Sequence, residues 1–357
     1  MPSSSAPLSD GDAAPPEEVP ASAALVRRAL GVAALVAVLA LVVSVLPGLQ
    51  EVRDRFSRAD PAWLAVTFAC VLASMLSYVA AVRGTLSRRI GWRASWNLGM
   101  AEQGSNVLLP TGGIGGPALG AAVMRRAGVP SAFASPRSAA LFLLTSGASF
   151  AAIAVAGAAT GLGLLPAAGV SWVGTLLPAA VAVAVVAAVG ALGRLSVTEP
   201  SETQGLVARW VRRIGALLRD GVQESVALLR SRDPLVIGGC LGYLAFAIAA
   251  LGAAFQAFGG EGPPIGAFVL AFTLGQVGAL IPTPGGVGGT EGGLIGMFVV
   301  YGTAAAPAAA AVLAYRVFQL GLPALLGLVA FGRIRRRLRD DELTAAVAAR
   351  FERESSP

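Results

Sequence analysis

The chain has 357 residues, of which 55% are hydrophobic and 13% charged, with a net charge of +7 and a mean hydropathy of +0.71. This balance excludes an ordinary soluble domain and predicts an all-α polytopic membrane protein. Histidine is absent and the two cysteines lie in apolar segments. We therefore predict no catalytic residues, no metal site, no cofactor and no nucleic-acid partner, and we do not expect an enzyme.

Spanning helices are predicted from apolar stretches of about 20 residues, the length that crosses a bilayer. Residues 1–24 are rich in Ser, Pro, Ala and acidic side chains, which predicts a disordered cytoplasmic tail. A membrane domain is predicted over 25–340 and a second cytoplasmic tail over 341–357. Six full spans are expected within the membrane domain, at about 29–49, 61–83, 136–158, 171–193, 234–257 and 305–331.

Two other apolar regions, 94–127 and 264–302, are each divided by a cluster of proline and glycine. Their half-length segments are too short to cross the bilayer. Each region is therefore predicted to be a re-entrant helical hairpin.

An amphipathic helix is predicted over about 203–232, between spans four and five. Its apolar residues share one helical face and most of its arginines the other. This pattern is typical of a helix in an anionic leaflet, and it is equally compatible with a surface helix packed on the bundle.

The two interrupted regions contain related motifs. "LLPTGGIGGPALGA" at 108–121 matches "LIPTPGGVGGTEGG" at 280–293, with Pro284 as a single insertion, and the copies lie about 172 residues apart. The order of helix, hairpin and helix also recurs, which predicts repeat one over about 29–158 and repeat two over about 171–331.

The arginine clusters predict how these repeats are oriented. Most lie on one side of the predicted spans, which should be the cytoplasm and should hold both termini. The first hairpin then enters from the cytoplasm and the second from outside, so the repeats are inverted. Such repeats carry the substrate site of many transporters where their broken helices meet.

The broken helices supply most of the candidate substrate-binding residues. Glycines permit positive φ at the breaks, and the amides that open the following helix suit an anion such as a lipid phosphate. The alternative is that these glycines serve only tight packing. The candidates at the breaks are Pro282, Gly285, Gly286, Gly288, Gly289 and Thr290 in the second, and Asn106, Gly112, Gly113, Gly115 and Gly116 in the first.

Ionisable residues at membrane depth are further candidates, because they are costly to keep there. Glu291 and Arg316 are predicted to face one cavity and to pair until a substrate phosphate frees the arginine; the alternative is a static structural pair. Glu102 in the first hairpin is a candidate proton carrier, as is Glu291. Arg137 is placed where the first repeat should match Arg316, although it is also positioned to extend toward the cytoplasmic headgroups.

The motifs "NVLLPTGGIGG", "IPTPGGVGGTEGG" and "YRVFQL" resemble the membrane domain of the lysylphosphatidylglycerol synthase/flippase family. The resemblance covers nearly all of 25–340 and points to a stand-alone member without the aminoacyl-transferase domain. It implies a plasma-membrane protein that moves a lipid between leaflets, with Glu291, Arg316 and the second-break residues lining the headgroup path, and it is compatible with a homodimer.

The function expected from these features is a flippase-like transporter of a phospholipid or glycolipid, with an anionic headgroup favoured by the helix N-terminus. Two alternatives stay open. One is a transferase of a lipid-linked cell-envelope glycan, and the other is an accessory subunit of such a pathway that docks through the 203–232 helix.

Overall fold

The computed structural model describes residues 50–86, 88–109, 113–166, 170–193, 206–260, 262–281 and 283–339, with side chains omitted at 50–53, 206–214 and 338–339. The described residues form helices and connecting turns, without strands. The predicted first span and both predicted tails lie outside them, as do Gly112 and Pro282. Eleven α-helices are described: α1 (Gln50–Ser57), α2 (Pro61–Thr85), α3 (Trp92–Leu108), α4 (Gly115–Arg126), α5 (Ser131–Gly161), α6 (Trp172–Leu192), α7 (Leu206–Arg230), α8 (Pro234–Ala257), α9 (Ile265–Gly275), α10 (Gly289–Val300) and α11 (Ala305–Arg339).

Five of these helices, α2, α5, α6, α8 and α11, are long and apolar enough to cross a membrane. They correspond to the five predicted spans that fall within the described residues. Two of them begin as their sequences indicate, because Asp60 and Asp233 each accept a hydrogen bond of 2.8 Å from a backbone amide in the first turn, followed by proline.

Both interrupted regions are pairs of short helices. The first consists of α3 and α4, and the second of α9 and α10 with 3₁₀ turns at Gln276–Leu280 and Pro284–Gly286 between them. The four helices have 17, 12, 11 and 12 residues. At 1.5 Å per residue none reaches the roughly 30 Å of a hydrocarbon core.

Helices α2 and α8, which each precede a short-helix pair, pack side by side in opposite directions. At one end the Asp60 amide donates to the Ala257 carbonyl at 2.8 Å, and near the other Gly84 lies against Val236. Between them the Ser74 hydroxyl donates to the Tyr243 carbonyl at 2.7 Å. A Cβ on Gly84 would lie 2.7 Å from the Val236 side chain, so glycine is what lets the helices approach this closely.

In each short-helix pair, the second helix ends at the same end of the bundle at which the first helix begins. Arg137, near the start of α5, donates to the carbonyl of Thr85 at the end of α2, at 2.8 Å. Similarly, Gly260 after α8 lies beside Pro307 in the first turn of α11. Because α2 and α8 are antiparallel, these two returns occur at opposite ends of the bundle.

Each short-helix pair packs along the long helix that follows the other pair, which is an exchange of packing partners. Helix α3 packs along α11, and α9 packs along α5. Gly104 and Gly327 touch in the first of these contacts, where a Cβ on Gly104 would lie 2.7 Å from the Gly327 Cα. In the second, Gly266 lies against Thr160. This exchange brings the breaks of both short-helix pairs toward the middle of the bundle.

The amphipathic helix α7 packs on α5 along its C-terminal half. Gly221 fits against Ala139, and the Ser225 hydroxyl lies 3.5 Å from the Ala140 carbonyl. Glu224 pairs with Arg137 at 2.8 Å. For this half of the helix, the structure matches the interpretation as a surface helix packed on the bundle.

Candidate functional site

The second break is a compact turn of glycine residues. Gly285, Gly286 and Gly288 have φ of +65°, +66° and +87°, values that side-chain-bearing residues rarely adopt. Gly289 also packs against the backbone of Gly278, so that α10 begins in direct contact with the turn that ends the preceding helix. The glycine motif therefore satisfies both a conformational and a packing requirement.

The ion pair of Glu291 and Arg316 connects this turn to α11. One Glu291 oxygen accepts from Arg316 Nε at 2.7 Å, and the other accepts from the Gly288 amide at 2.7 Å. The guanidinium also donates to the Gly285 carbonyl at 2.6 Å and to the Gln319 side chain at 2.7 Å. Both members of the pair are only 6% exposed, which makes this a buried, hydrogen-bonded ion pair of the predicted kind.

The first break is held by a neutral side chain. Asn106 Oδ1 accepts from the amide of Gly116 at 2.6 Å, and the Ser105 hydroxyl donates to the Gly115 carbonyl at 3.2 Å. Gly116 itself fits against the Glu102 carbonyl and the Asn106 amide. Gly113 has φ +89°, so the backbone requirement for glycine is common to the two breaks.

A cavity of about 210 Å³ lies between the breaks. Six of the predicted site residues line it: Asn106, Gly113, Gly285, Gly286, Thr290 and Arg316. Of the other predicted residues at the breaks, the described ones, Gly115, Gly116, Gly288, Gly289 and Glu291, support the lining without forming part of it.

Glu102 lies outside the cavity lining, buried between α2, α3 and α4. It is 2% exposed, and one carboxylate oxygen accepts from the Tyr78 hydroxyl at 2.8 Å. The other oxygen fills the space where Gly120 has no side chain. Within the described part of the chain, no cation lies within 4.0 Å of this carboxylate.

Arg137 is likewise remote from the cavity, at the end of the bundle where α5 begins. Besides Thr85 and Glu224, it contacts the ring of Phe133, with 4.3 Å between the guanidinium carbon and the ring centroid. It is the seventh residue of α5, whereas Arg316 is the twelfth of α11. Arg137 therefore lies about one and a half turns nearer to the start of its helix than Arg316 does.

Some residues that line the cavity were not among the predicted site residues, namely Ser74, Tyr315 and Gln319. Tyr315 and Gln319 flank Arg316 in "YRVFQ", and an i to i+3 spacing from the arginine was the available signal for Gln319. Nothing in the sequence alone distinguishes Ser74 from other small residues of α2.

No three Cys, Asp or Glu side chains of the described segments lie close enough together to hold a metal ion. No curated protein gives a significant match to the chain. The family model of the lysylphosphatidylglycerol synthase TM region matches residues 28–327. Because this match covers most of the chain, the chain belongs to this family.

Proposed function

We propose that this multi-pass membrane protein is a flippase-like transporter that moves a lipid with a polar headgroup between leaflets. The observation that carries the proposal is a polar cavity inside an apolar bundle, lined by the breaks of two short-helix pairs. Irregular backbone at membrane depth is tolerable where it is buried in protein or lines a water-filled cavity. The family, named for a synthase of a membrane phospholipid, agrees with a lipid substrate.

The proposal includes two re-entrant hairpins in an inverted repeat. It is supported by the antiparallel packing of α2 and α8 and by the return of each short-helix pair to its own end of the bundle. The exchange of partners between α3 with α11 and α9 with α5 is expected of two inverted units related by a pseudo-two-fold axis. The arginine distribution of the sequence supports a cytoplasmic location for both termini.

In the proposed mechanism, Arg316 meets the phosphate of the headgroup as the headgroup passes the second break. Its three hydrogen bonds leave two of its five N–H groups for a ligand. A phosphate that competes with Glu291 for the guanidinium would loosen the contact between α10 and α11. Acyl chains stay in the bilayer, and Glu291 or Glu102 would carry a proton if transport is coupled to a gradient.

The test is leaflet exchange in liposomes that contain the purified full chain and lipids labelled on an acyl chain. Dithionite bleaches only the outer leaflet, so the additional bleaching measures exchange. We expect wild type to accelerate exchange. Arg316→Ala, which removes the group that meets the phosphate, should slow exchange by about tenfold or more, since one strong charge-assisted hydrogen bond is worth about 1.5–3 kcal/mol. Glu291→Gln should also change the rate, because it removes the carboxylate with which the phosphate competes for the guanidinium.

The matched control is Asp233→Asn, which removes the carboxylate of another Arg–acid pair, Arg88–Asp233 at 3.0 Å, on the surface. It should exchange lipids at the wild-type rate. Arg316→Lys keeps the positive charge, and it is the second variant to measure if Arg316→Ala fails to fold. Exchange at the protein-free rate for every lipid tried with folded wild type would overturn the proposal.

Topology is tested by cysteine labelling from each side of sealed vesicles, in a background where Cys70 and Cys240 are alanine. Ser131 and Ala304 are exposed residues at the starts of α5 and α11, one in each repeat. Single cysteines at these positions should react with an impermeant reagent from opposite sides. Labelling of both from the same side would rule out the inverted repeat.

A further inference from the structure

Two hydroxyl groups of the cavity residues lack hydrogen-bond partners. Thr290 and Tyr315 line the cavity, each is 1% exposed, and neither side-chain oxygen has a partner among the described residues. Leaving a buried hydroxyl unpaired costs about 1–3 kcal/mol. Among the other buried threonines of the described residues, Thr273 donates to the Val269 carbonyl at 2.7 Å, whereas Thr85 and Thr160 also lack a partner. Unlike those two, Thr290 and Tyr315 line a cavity, so a ligand bound there is in position to supply the missing hydrogen bonds.

The same cavity is rich in side-chain amides. Each amide offers two donors and an acceptor oxygen, and each hydroxyl offers one donor and two acceptor sites. A wall of such groups complements a ligand whose own groups both donate and accept, as the hydroxyls of a polyol or sugar do. The amides that line the cavity belong to Gln103, Asn106, Gln276 and Gln319.

The charge of the lining opposes an ammonium-bearing headgroup. Arg316 is the one ionised side chain among the described lining residues, and it would repel a cation. The neighbouring Glu291 has both oxygens engaged, by Arg316 and by the Gly288 amide. Taking an ammonium group out of water without a carboxylate partner is strongly unfavourable. A neutral polyol meets no such penalty.

We propose that the cavity selects a neutral, hydroxyl-rich headgroup moiety, such as glycerol or a single sugar, and discriminates against aminoacylated, cationic headgroups. Tyr315 and Thr290 hydrogen-bond the ligand hydroxyls, while Arg316 takes a phosphate where the lipid has one. This assignment rests on the proposed lipid transport, whose substrate class it specifies. A volume of about 210 Å³ suits a moiety of this size.

The test compares exchange of three acyl-labelled lipids in liposomes that contain the full chain: glucosyl-diacylglycerol, phosphatidylglycerol and lysyl-phosphatidylglycerol. The first two should exchange at least about tenfold faster than the third. Tyr315→Phe and Thr290→Val should each reduce the two fast rates by about 2- to 10-fold, the value of one hydrogen bond. Neither variant should lower Tm, because each removes a group that has no partner in the protein.

Tyr301→Phe is the matched control, since the Tyr301 hydroxyl donates to the Gly174 carbonyl at 2.8 Å away from the cavity. It should lower Tm and leave the ratio of the three rates unchanged. Uptake of radiolabelled free glycerol and glucose distinguishes a lipid headgroup from a free polyol. We expect no uptake above that of protein-free vesicles.

Equal or faster exchange of the lysyl lipid, or Tyr315→Phe and Thr290→Val variants with wild-type rates, would overturn the assignment. Absence of exchange with all three lipids would instead overturn the transport function. The headgroup preference is then decided by the rise in Tm of the detergent-solubilised chain with short-chain phosphatidylglycerol and with its lysyl ester. The first should stabilise wild type more than it stabilises Tyr315→Phe, and a larger rise with the lysyl ester would contradict the preference.

Discussion

The two breaks each contain a glycine with a φ near +90°, Gly113 and Gly288, but they are held by different chemistry. In the first, Asn106 of the preceding helix α3 binds the Gly116 amide at 2.6 Å. In the second, Glu291 of the following helix α10 binds the Gly288 amide at 2.7 Å and is itself paired with Arg316 of α11. A neutral hydrogen bond between neighbouring segments stabilises the first break, whereas an ion pair connects the second break to the long helix α11. A charged ligand can therefore compete for the ion pair of the second break, whereas the first break has no ion pair among its described contacts for such a ligand to disrupt.

The largest expected effect comes from removing one partner of that ion pair. Glu291→Ala leaves a buried guanidinium uncompensated and should lower the free energy of unfolding by about 3–5 kcal/mol. Denaturant unfolding of the detergent-solubilised chain measures it. The double variant Glu291→Ala/Arg316→Leu should recover most of the loss, since no lone charge remains. A single-variant loss below about 1 kcal/mol would mean that the pair does not hold the second break.

The corresponding change in the first break should cost less. Asn106→Ala leaves the Gly116 amide without its acceptor, which we expect to lower the free energy of unfolding by about 1–3 kcal/mol. The same unfolding experiment applies, with Ser105→Ala as the control because its bond to the Gly115 carbonyl is longer, at 3.2 Å. If Asn106→Ala were as damaging as Glu291→Ala, the distinction between a neutral and a charged break would fail.

Backbone conformation should affect both breaks. Gly113 and Gly288 have φ of +89° and +87°, and a Cβ on either would meet no atom within 4 Å. Alanine at Gly113 should therefore cost only a conformational penalty, about 1–2 kcal/mol. Alanine at Gly288 should cost at least as much, because its ψ of −53° lies outside the left-handed helical region. Gly296→Ala, in a helix interior with open space around it, should instead stabilise the protein by about 0.5–1 kcal/mol.

Much of this architecture could be predicted from the sequence because its signals are local. Apolar length located the five described spans, Asp-Pro pairs marked the starts of α2 and α8, and glycine clusters located the breaks. The pairing of Glu291 with Arg316 followed from the cost of isolated charge in an apolar segment. Contacts between distant segments gave no such signal: Arg137 is held at the end of the bundle by Thr85 and Glu224, and the role of Tyr315 depends on how α11 is rotated toward the cavity.

The smallest effect is expected at Glu102, the acid of the first short-helix pair. Its described hydrogen-bond partner is the hydroxyl of Tyr78, at 2.8 Å, and the side-chain oxygen of glutamine can accept that bond equally well. Glu102→Gln should therefore change the free energy of unfolding by less than about 1 kcal/mol, whereas Glu291→Gln removes a charge that Arg316 requires. Tyr78→Phe, which deletes the donor, serves as the control and should cost about 1 kcal/mol. A loss above about 2 kcal/mol for Glu102→Gln would show that this position requires an ionised carboxylate, and the first short-helix pair would then depend on charge as the second does.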